Sequence, residues 1–199
     1  MDKQLIISIG REFGSGGHEI AEMLAERFEL NLYDKNLLEQ IANDKNLNVK
    51  NLEKYDEKPR NMWMTRTVHG YSNSAEENLA NMQFEYLKKA AADGKSFVIV
   101  GRCAETILKN NPALISMFIL GDWENKVERI TRLYDMEREE AESFIYRQDK
   151  KRKNYHNYYC KGKWGDSRNY DISVNSSKLG EEETTQMLVE YIMKRQKLV

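Results

Sequence analysis

The chain has 199 residues, 40% of them hydrophobic and 32% charged, and a formal net charge of −1. This is enough chain for one sizeable core, and the balanced charge gives no global pull toward nucleic acid or a membrane surface. Two prolines exclude a proline-rich linker, and two cysteines, Cys103 and Cys160, are too few for a disulfide framework. No apolar stretch approaches the roughly 20 residues that span a bilayer. The N-terminus, "MDKQLIISIG", lacks the length and cleavage site of a signal peptide, so the expectation is a cytoplasmic protein with free thiols. Neither cysteine reads as having a second cysteine or a histidine at metal-ligand spacing, and no structural zinc site is expected.

In chain order, "LIISIG" (5–10) is an apolar run of the kind that forms a strand buried on both faces. Three glycines in four positions follow, then an amphipathic helix over 17–28. "NLYD" (31–34) reads as a short strand and 35–43 as a helix. Residues 44–75 are polar with embedded aromatics and fit neither pattern. A helix over 76–93 precedes the strand "SFVIVG" (96–101), a helix over 103–110 and the strand "ALISMFIL" (113–120). Helices over 123–133 and 137–153 lead into a stretch, 147–169, rich in lysine, arginine and tyrosine. "YDISVN" (170–175) is the fifth strand, and the helix 180–197 carries Met187, Leu188, Tyr191 and Ile192 at core-facing spacing. Strand and helix in repeated alternation imply an α/β fold: a parallel five-stranded sheet with helices on both faces. The whole chain reads as one domain, with 44–75 and about 134–169 placed as flaps over a ligand.

The segment "GREFGSGGHEI" sits where a phosphate-binding loop belongs, between a strand and a helix. Backbone N–H groups in such a turn converge on one anion, and the helix N-terminus adds its partial positive charge. The common pattern is G-x-x-x-x-G-K-[ST]. With Gly16 at its last glycine, Arg11 takes the first position, Gly17 the lysine and His18 the Ser/Thr. Gly14, Ser15, Gly16, Gly17 and His18, with Arg11 beside them, are the candidate phosphate and ATP contacts. A polyphosphate without the lysine needs other cations, and arginine suits the task because its planar fork grips two oxygens at once.

"SIGREFGSGGHEIAEMLAERF", "LYDKNLLEQIA", "FVIVGRCAETIL" and "RQDKKRKNYHNYYCKGKWGDSRNYDISVNSS" together resemble the cytidylate kinase-like branch of the P-loop nucleoside monophosphate kinases. The resemblance implies a three-layer P-loop kinase fold with an acceptor-binding insertion (about 44–75) and a helical lid (about 134–169). It implies ATP and magnesium as cofactors and transfer of the γ-phosphate to a nucleoside monophosphate or similar small acceptor. Glycine in place of the lysine is familiar in this branch. By the same resemblance Arg102, of the Gly-Arg pair, grips the acceptor phosphate, although Cys103 stands where cytidylate kinases proper have aspartate. Asp34, of "YD", belongs to the acceptor side. Arg147 and Arg152 in the lid neutralise charge in the transition state, and Asp149, three residues before Arg152, orients that guanidinium.

For magnesium, hard oxygen ligands are required. Asp34, Asp122, Glu12 and Glu19 are candidates, and no metal ligand is assigned among them. His18 is read as a cap or phosphate donor, whereas His69 and His156 show no carboxylate or cysteine partner nearby. Trp63, Tyr71 and Phe84 are read as core or flap packing in preference to a base-stacking pocket. Two rival readings remain. One is a module of the same fold that binds nucleotide or anion with little catalysis. The other is nucleic-acid binding through residues 147–170, where eight Lys/Arg face two Asp for a local charge of +6. The acidic remainder of the chain argues against the latter. The expected partner is a small-molecule nucleotide, without membrane association, and a homo-oligomer is compatible with the sequence.

Overall fold

The computed structural model describes residues 3–34, 36–45, 54–58, 67–68, 71–72 and 74–198. Five strands, β1 (Ile6–Arg11), β2 (Asn31–Tyr33), β5 (Phe97–Val100), β6 (Leu114–Leu120) and β7 (Ile172–Asn175), form an all-parallel sheet in the order β2-β5-β1-β6-β7. The expected five-stranded α/β architecture is therefore present. β1 lies at the centre, with Ile7 in register with Val98 on one side and Ile115 on the other. Side chains alternate between the faces of a strand, which sorts this apolar run into two cores. Ile7 and Ile9 pack with α1 (Gly17–Arg27) and α7 (Gly180–Leu198) through Ile20, Leu24, Leu188 and Ile192. Ile6 packs on the opposite face with α2 (Leu37–Lys45) and α3 (Ala75–Ala92) through Leu37, Ile41 and Leu87.

Two boundaries differ from the sequence expectation. The helix expected over 103–110 is a single turn, α4 (Ala104–Ile107), entered through left-handed Arg102 and Cys103 (φ 56° each). The lid helix, expected to end at 153, runs on as α6 (Arg138–Tyr159). Its far end stays helical because Tyr155 docks in a separate apolar cluster with Phe84, Ala80, Cys103 and Cys160. Phe84 thus packs in the core, as read. Within the region 44–75, a two-stranded antiparallel ribbon pairs β3 (Thr67–Val68) with β4 (Tyr71–Ser72). Trp63 and His69 lie outside the described residues.

α5 (Trp123–Tyr134) meets α6 through Val127, Ile130, Ala141 and Ile145, with Phe13 and Phe144 against them. Positions 141, 145, 149, 152 and 156 fall on one stripe of α6 at helical spacing. Its two ends are held by buried contacts, and Asp149 and Arg152 occupy the middle, facing the glycine loop. No described helix is long and apolar enough to cross a membrane.

Candidate functional site

The carboxyl ends of the parallel strands bring together the loop after β1, Asp34 after β2 and Arg102 after β5, where ligands bind in open α/β sheets. A crevice of about 740 Å³ opens there, lined by Arg11, Gly14, Gly16, Gly17 and His18 on one side and by Asp34, Arg102, Lys151 and Arg152 around them. Most of the candidate phosphate, acceptor and lid residues thus share one wall. Arg147 does not: it is exposed, stacked over Phe144 at 5.8 Å, on the other side of the helix from Arg152. Lys151 lines the crevice instead.

In the loop, Gly14 (φ 82°) and Gly16 (φ 73°) are left-handed, and Gly16 caps α1 with its carbonyl accepting from Ile20 N at 3.0 Å. The Ser15 side chain is corrected from a phosphate contact to an internal brace. Its hydroxyl is buried and donates to the Glu12 carbonyl at 2.9 Å, while Ser176 Oγ donates to the Ser15 carbonyl at 2.6 Å. His18 leans toward Asp34, its Nε2 3.7 Å from the carboxylate.

The position of the missing lysine has a steric explanation. A Cβ on Gly17 would lie 2.6 Å from Arg11 Cβ and 3.2 Å from Ile119 Cβ. The stem of Arg11 fills the space that a side chain at 17 would need. Its guanidinium crosses to the opposite wall, where a Cβ on Gly101 would stand 2.5 Å from Nη1. Burial, and the like charge of Arg152, lower the Arg11 pKa to about 9.

Arg102 is buried, with Nη2 2.8 Å from Asp56 and Nη1 2.9 Å from Glu57. Burial works against its charge, but these two carboxylates outweigh it and raise the pKa. Glu57 is the meeting point of the cations. Burial pushes its pKa up, yet Arg102, Arg11 and Arg152 prevail and hold it down to about 2. Arg152 is depressed by burial, partly offset by Glu57 and Asp149. It also donates to the Arg11 carbonyl at 3.4 Å and sits 5.2 Å over the Phe13 ring.

Asp149 acts differently from the expectation. Its carboxylate accepts from Phe13 N at 2.6 Å and from Lys126 Nζ at 3.3 Å, so its hydrogen bonds tie the lid to the glycine loop, with Arg152 as a charged neighbour. Lys126 is buried and also bonds Glu12 at 3.0 Å. Arg129 pairs with Glu19 at 2.7 Å and with Glu181, whose side chain would lie 2.6 Å from a Cβ on Gly16. Sequence reading missed Lys126, Arg129, Asp56 and Glu57. The first two look like the solvated face of an amphipathic helix, and the acidic pair lies in a segment without periodicity.

Of the magnesium candidates, Asp122 is taken by Lys178 and by Asn175 Nδ2 at 2.6 Å, and Glu12 by Lys126. Asp34 and Glu19 line the crevice. His156 does have partners: its Nε2 lies 2.8 Å from Glu105 Oε1, and Cys160 is one helical turn away.

The fold is that of the P-loop small-molecule kinases. A gluconokinase from Sinorhizobium meliloti 1021 superposes with a TM-score of 0.59 at 13% identity, covering 99% of this chain and 96% of that one. A shikimate kinase from Bacteroides thetaiotaomicron superposes with a TM-score of 0.56 at 14% identity, covering 95% and 98%. Residues 6–178 match the cytidylate kinase-like family, and the chain belongs to it. An uncharacterized protein from Eubacterium ventriosum ATCC 27560 is 40% identical, with a TM-score of 0.76 over 95% of this chain and 98% of that one. No curated protein matches the sequence.

Proposed function

We propose that this protein transfers the γ-phosphate of ATP to a small acceptor, a nucleoside monophosphate or a metabolite of similar size. The observation that carries the reading is the gathering of Arg11, Arg102 and Arg152 around one small cavity with Glu57, which Arg102 pairs at 2.9 Å. Guanidinium groups gathered from three elements around one anion, at a cost in desolvation, suit a site that must hold several phosphates.

The backbone of residues 14–17 receives the donor phosphates, and the left-handed turns at Gly14 and Gly16 leading into the N-terminus of α1 support a fit to a polyphosphate. Arg11 supplies the cation that the loop lacks. Arg102 holds the acceptor, Asp34 accepts from an acceptor hydroxyl, and Arg152 neutralises charge as it moves between donor and acceptor. Asp149 and Lys126 are positioning residues that keep the lid over the loop. Magnesium would supply positive charge that offsets the phosphates. Asp34 would offer hard oxygen atoms on the crevice wall, whereas Glu19 is already paired with Arg129.

A second reading, binding with little catalysis, draws support from the internal neutralisation of Arg102 by Asp56 and Glu57. One experiment separates the two. Nucleoside monophosphates and small hydroxylated or phosphorylated metabolites are each mixed with the protein, ATP and magnesium, and ADP is measured. Acceptor-dependent ADP supports the kinase; ATP binding with no acceptor-dependent ADP supports the module.

A further inference from the structure

We propose that Cys160, His156 and Glu105, with Cys103 beside them, form a buried binding site for a thiophilic divalent cation of the zinc class. The residues come from two elements that meet behind the crevice. Cys103 and Glu105 belong to the turn after β5 and to α4, whereas His156 and Cys160 are one turn apart where α6 ends. One ligand atom from each of Glu105, His156 and Cys160 lies within 4.8 Å of the other two. The ligand atoms of a tetrahedral zinc site stand roughly 3.3–3.8 Å apart, given Zn–S and Zn–N distances of about 2.3 and 2.0–2.1 Å. Shifts of about 1 Å bring the three atoms to that spacing. Cys103 shares one buried apolar cluster with Cys160, which puts a second sulfur at the site's edge.

Two further observations favour a cation over a plain buried ion pair. All four side chains are buried, next to Phe84, Tyr155 and Tyr159, and none is used in the phosphoryl-transfer reading. A carboxylate and an imidazole withdrawn from water gain little net stability from each other alone. A divalent cation with one thiolate and one carboxylate makes the cluster neutral. Second, the Nδ1 of His156 lies 3.4 Å from the amide oxygen of Asn157, which itself accepts from Trp164 N at 2.8 Å. Nε2 shares a proton with Glu105, which a cation would displace, while Nδ1–H stays directed at Asn157, the outer-shell support usual for metal-binding histidines. Soft sulfur and imidazole donors select zinc-like ions over magnesium. A filled site would staple the far end of the lid helix to the turn that presents Arg102. The sequence expectation of no such site overlooked the His156-x-x-x-Cys160 spacing and could not foresee Glu105.

The test uses the full chain, reduced and stripped with a chelator, titrated with cobalt(II) as a spectroscopic stand-in. One cobalt per chain is expected, with a thiolate-to-cobalt charge-transfer band and the strong visible absorption of tetrahedral geometry, both erased by zinc and untouched by magnesium. Cys160→Ser and, separately, His156→Asn should weaken cobalt binding at least about tenfold. A folded, reduced wild-type chain with no charge-transfer band would overturn the proposal, as would unchanged binding in Cys160→Ser. No nucleotide is involved, so the outcome is independent of the kinase reading.

Discussion

Gly17→Lys restores the ordinary phosphate-loop lysine, and the structure predicts damage instead of rescue. The new Cβ would stand 2.6 Å from Arg11 Cβ, whereas carbon atoms in contact prefer about 3.5–4.0 Å. Relieving an overlap of about 1 Å against a strand-end side chain belongs to the overpacking class, about 1–3 kcal/mol. Replacing glycine at the first position of α1 recovers less than the ~1 kcal/mol gained in a helix interior, so the clash wins. At roughly 2–4 °C per kcal/mol for a chain of this size, the midpoint of thermal unfolding should fall by about 2–12 °C. Turnover, measured as ADP release with the acceptor found in the panel, should not rise. Arg11→Gly, which removes the clashing Cβ, should make room, and the double variant should be more stable than the two single effects predict, with a coupling of about 1 kcal/mol or more. A single Gly17→Lys variant with an unchanged midpoint and faster turnover would refute the steric exchange of Arg11 for the lysine.

Arg102→Ala should raise the KM for the acceptor at least about tenfold, with the KM for ATP little changed, because one lost charge-assisted contact is worth about 1.5–3 kcal/mol; equal loss for both substrates contradicts the acceptor role. Arg152→Ala should lower kcat by about 10²-fold, as loss of a transition-state charge contact does, while Arg147→Ala on the far side of the helix should leave kcat within about twofold. Reversal of that order removes the lid stripe from the mechanism. Glu57 has a folded pKa of about 2, below its unfolded value near 4.5. Its contribution to stability is therefore fully present above pH ~4.5 and is lost as pH falls toward 2. Glu57→Gln should flatten the stability profile in that window and tighten binding of inorganic phosphate at neutral pH. A profile identical to wild type would show that the guanidinium groups do not converge on this carboxylate.

The sheet was legible because burial on both faces leaves near-continuous apolar runs such as Ile6–Ile9 and Phe97–Val100, and the helices between them fix parallel pairing. The glycine loop was legible as a loop, with Arg11 named beside it. What the sequence hid was that Arg11 and Gly17 are one steric unit, since the relation depends on the Arg11 stem packing against the backbone at 17 across the turn. Asp149 illustrates a different failure. Its spacing to Arg152 is helical and suggests a pair, but a carboxylate chooses partners in three dimensions, and Phe13 N and Lys126 are nearer. Lys126 and Arg129 carry helical periodicity that any exposed face would carry. Glu57 acquires its importance only from three arginines that arrive from β1, the turn after β5 and the lid.

The most direct measurement is a crystal structure of the full chain with magnesium and a non-hydrolysable ATP analogue. The account predicts the β- and γ-phosphates within hydrogen-bond distance of the amides of residues 14–18, with the Arg11 and Arg152 guanidinium groups turned onto the γ-phosphate. Nucleotide bound elsewhere, or phosphates at the loop with Arg11 still turned away against Glu57, would contradict it.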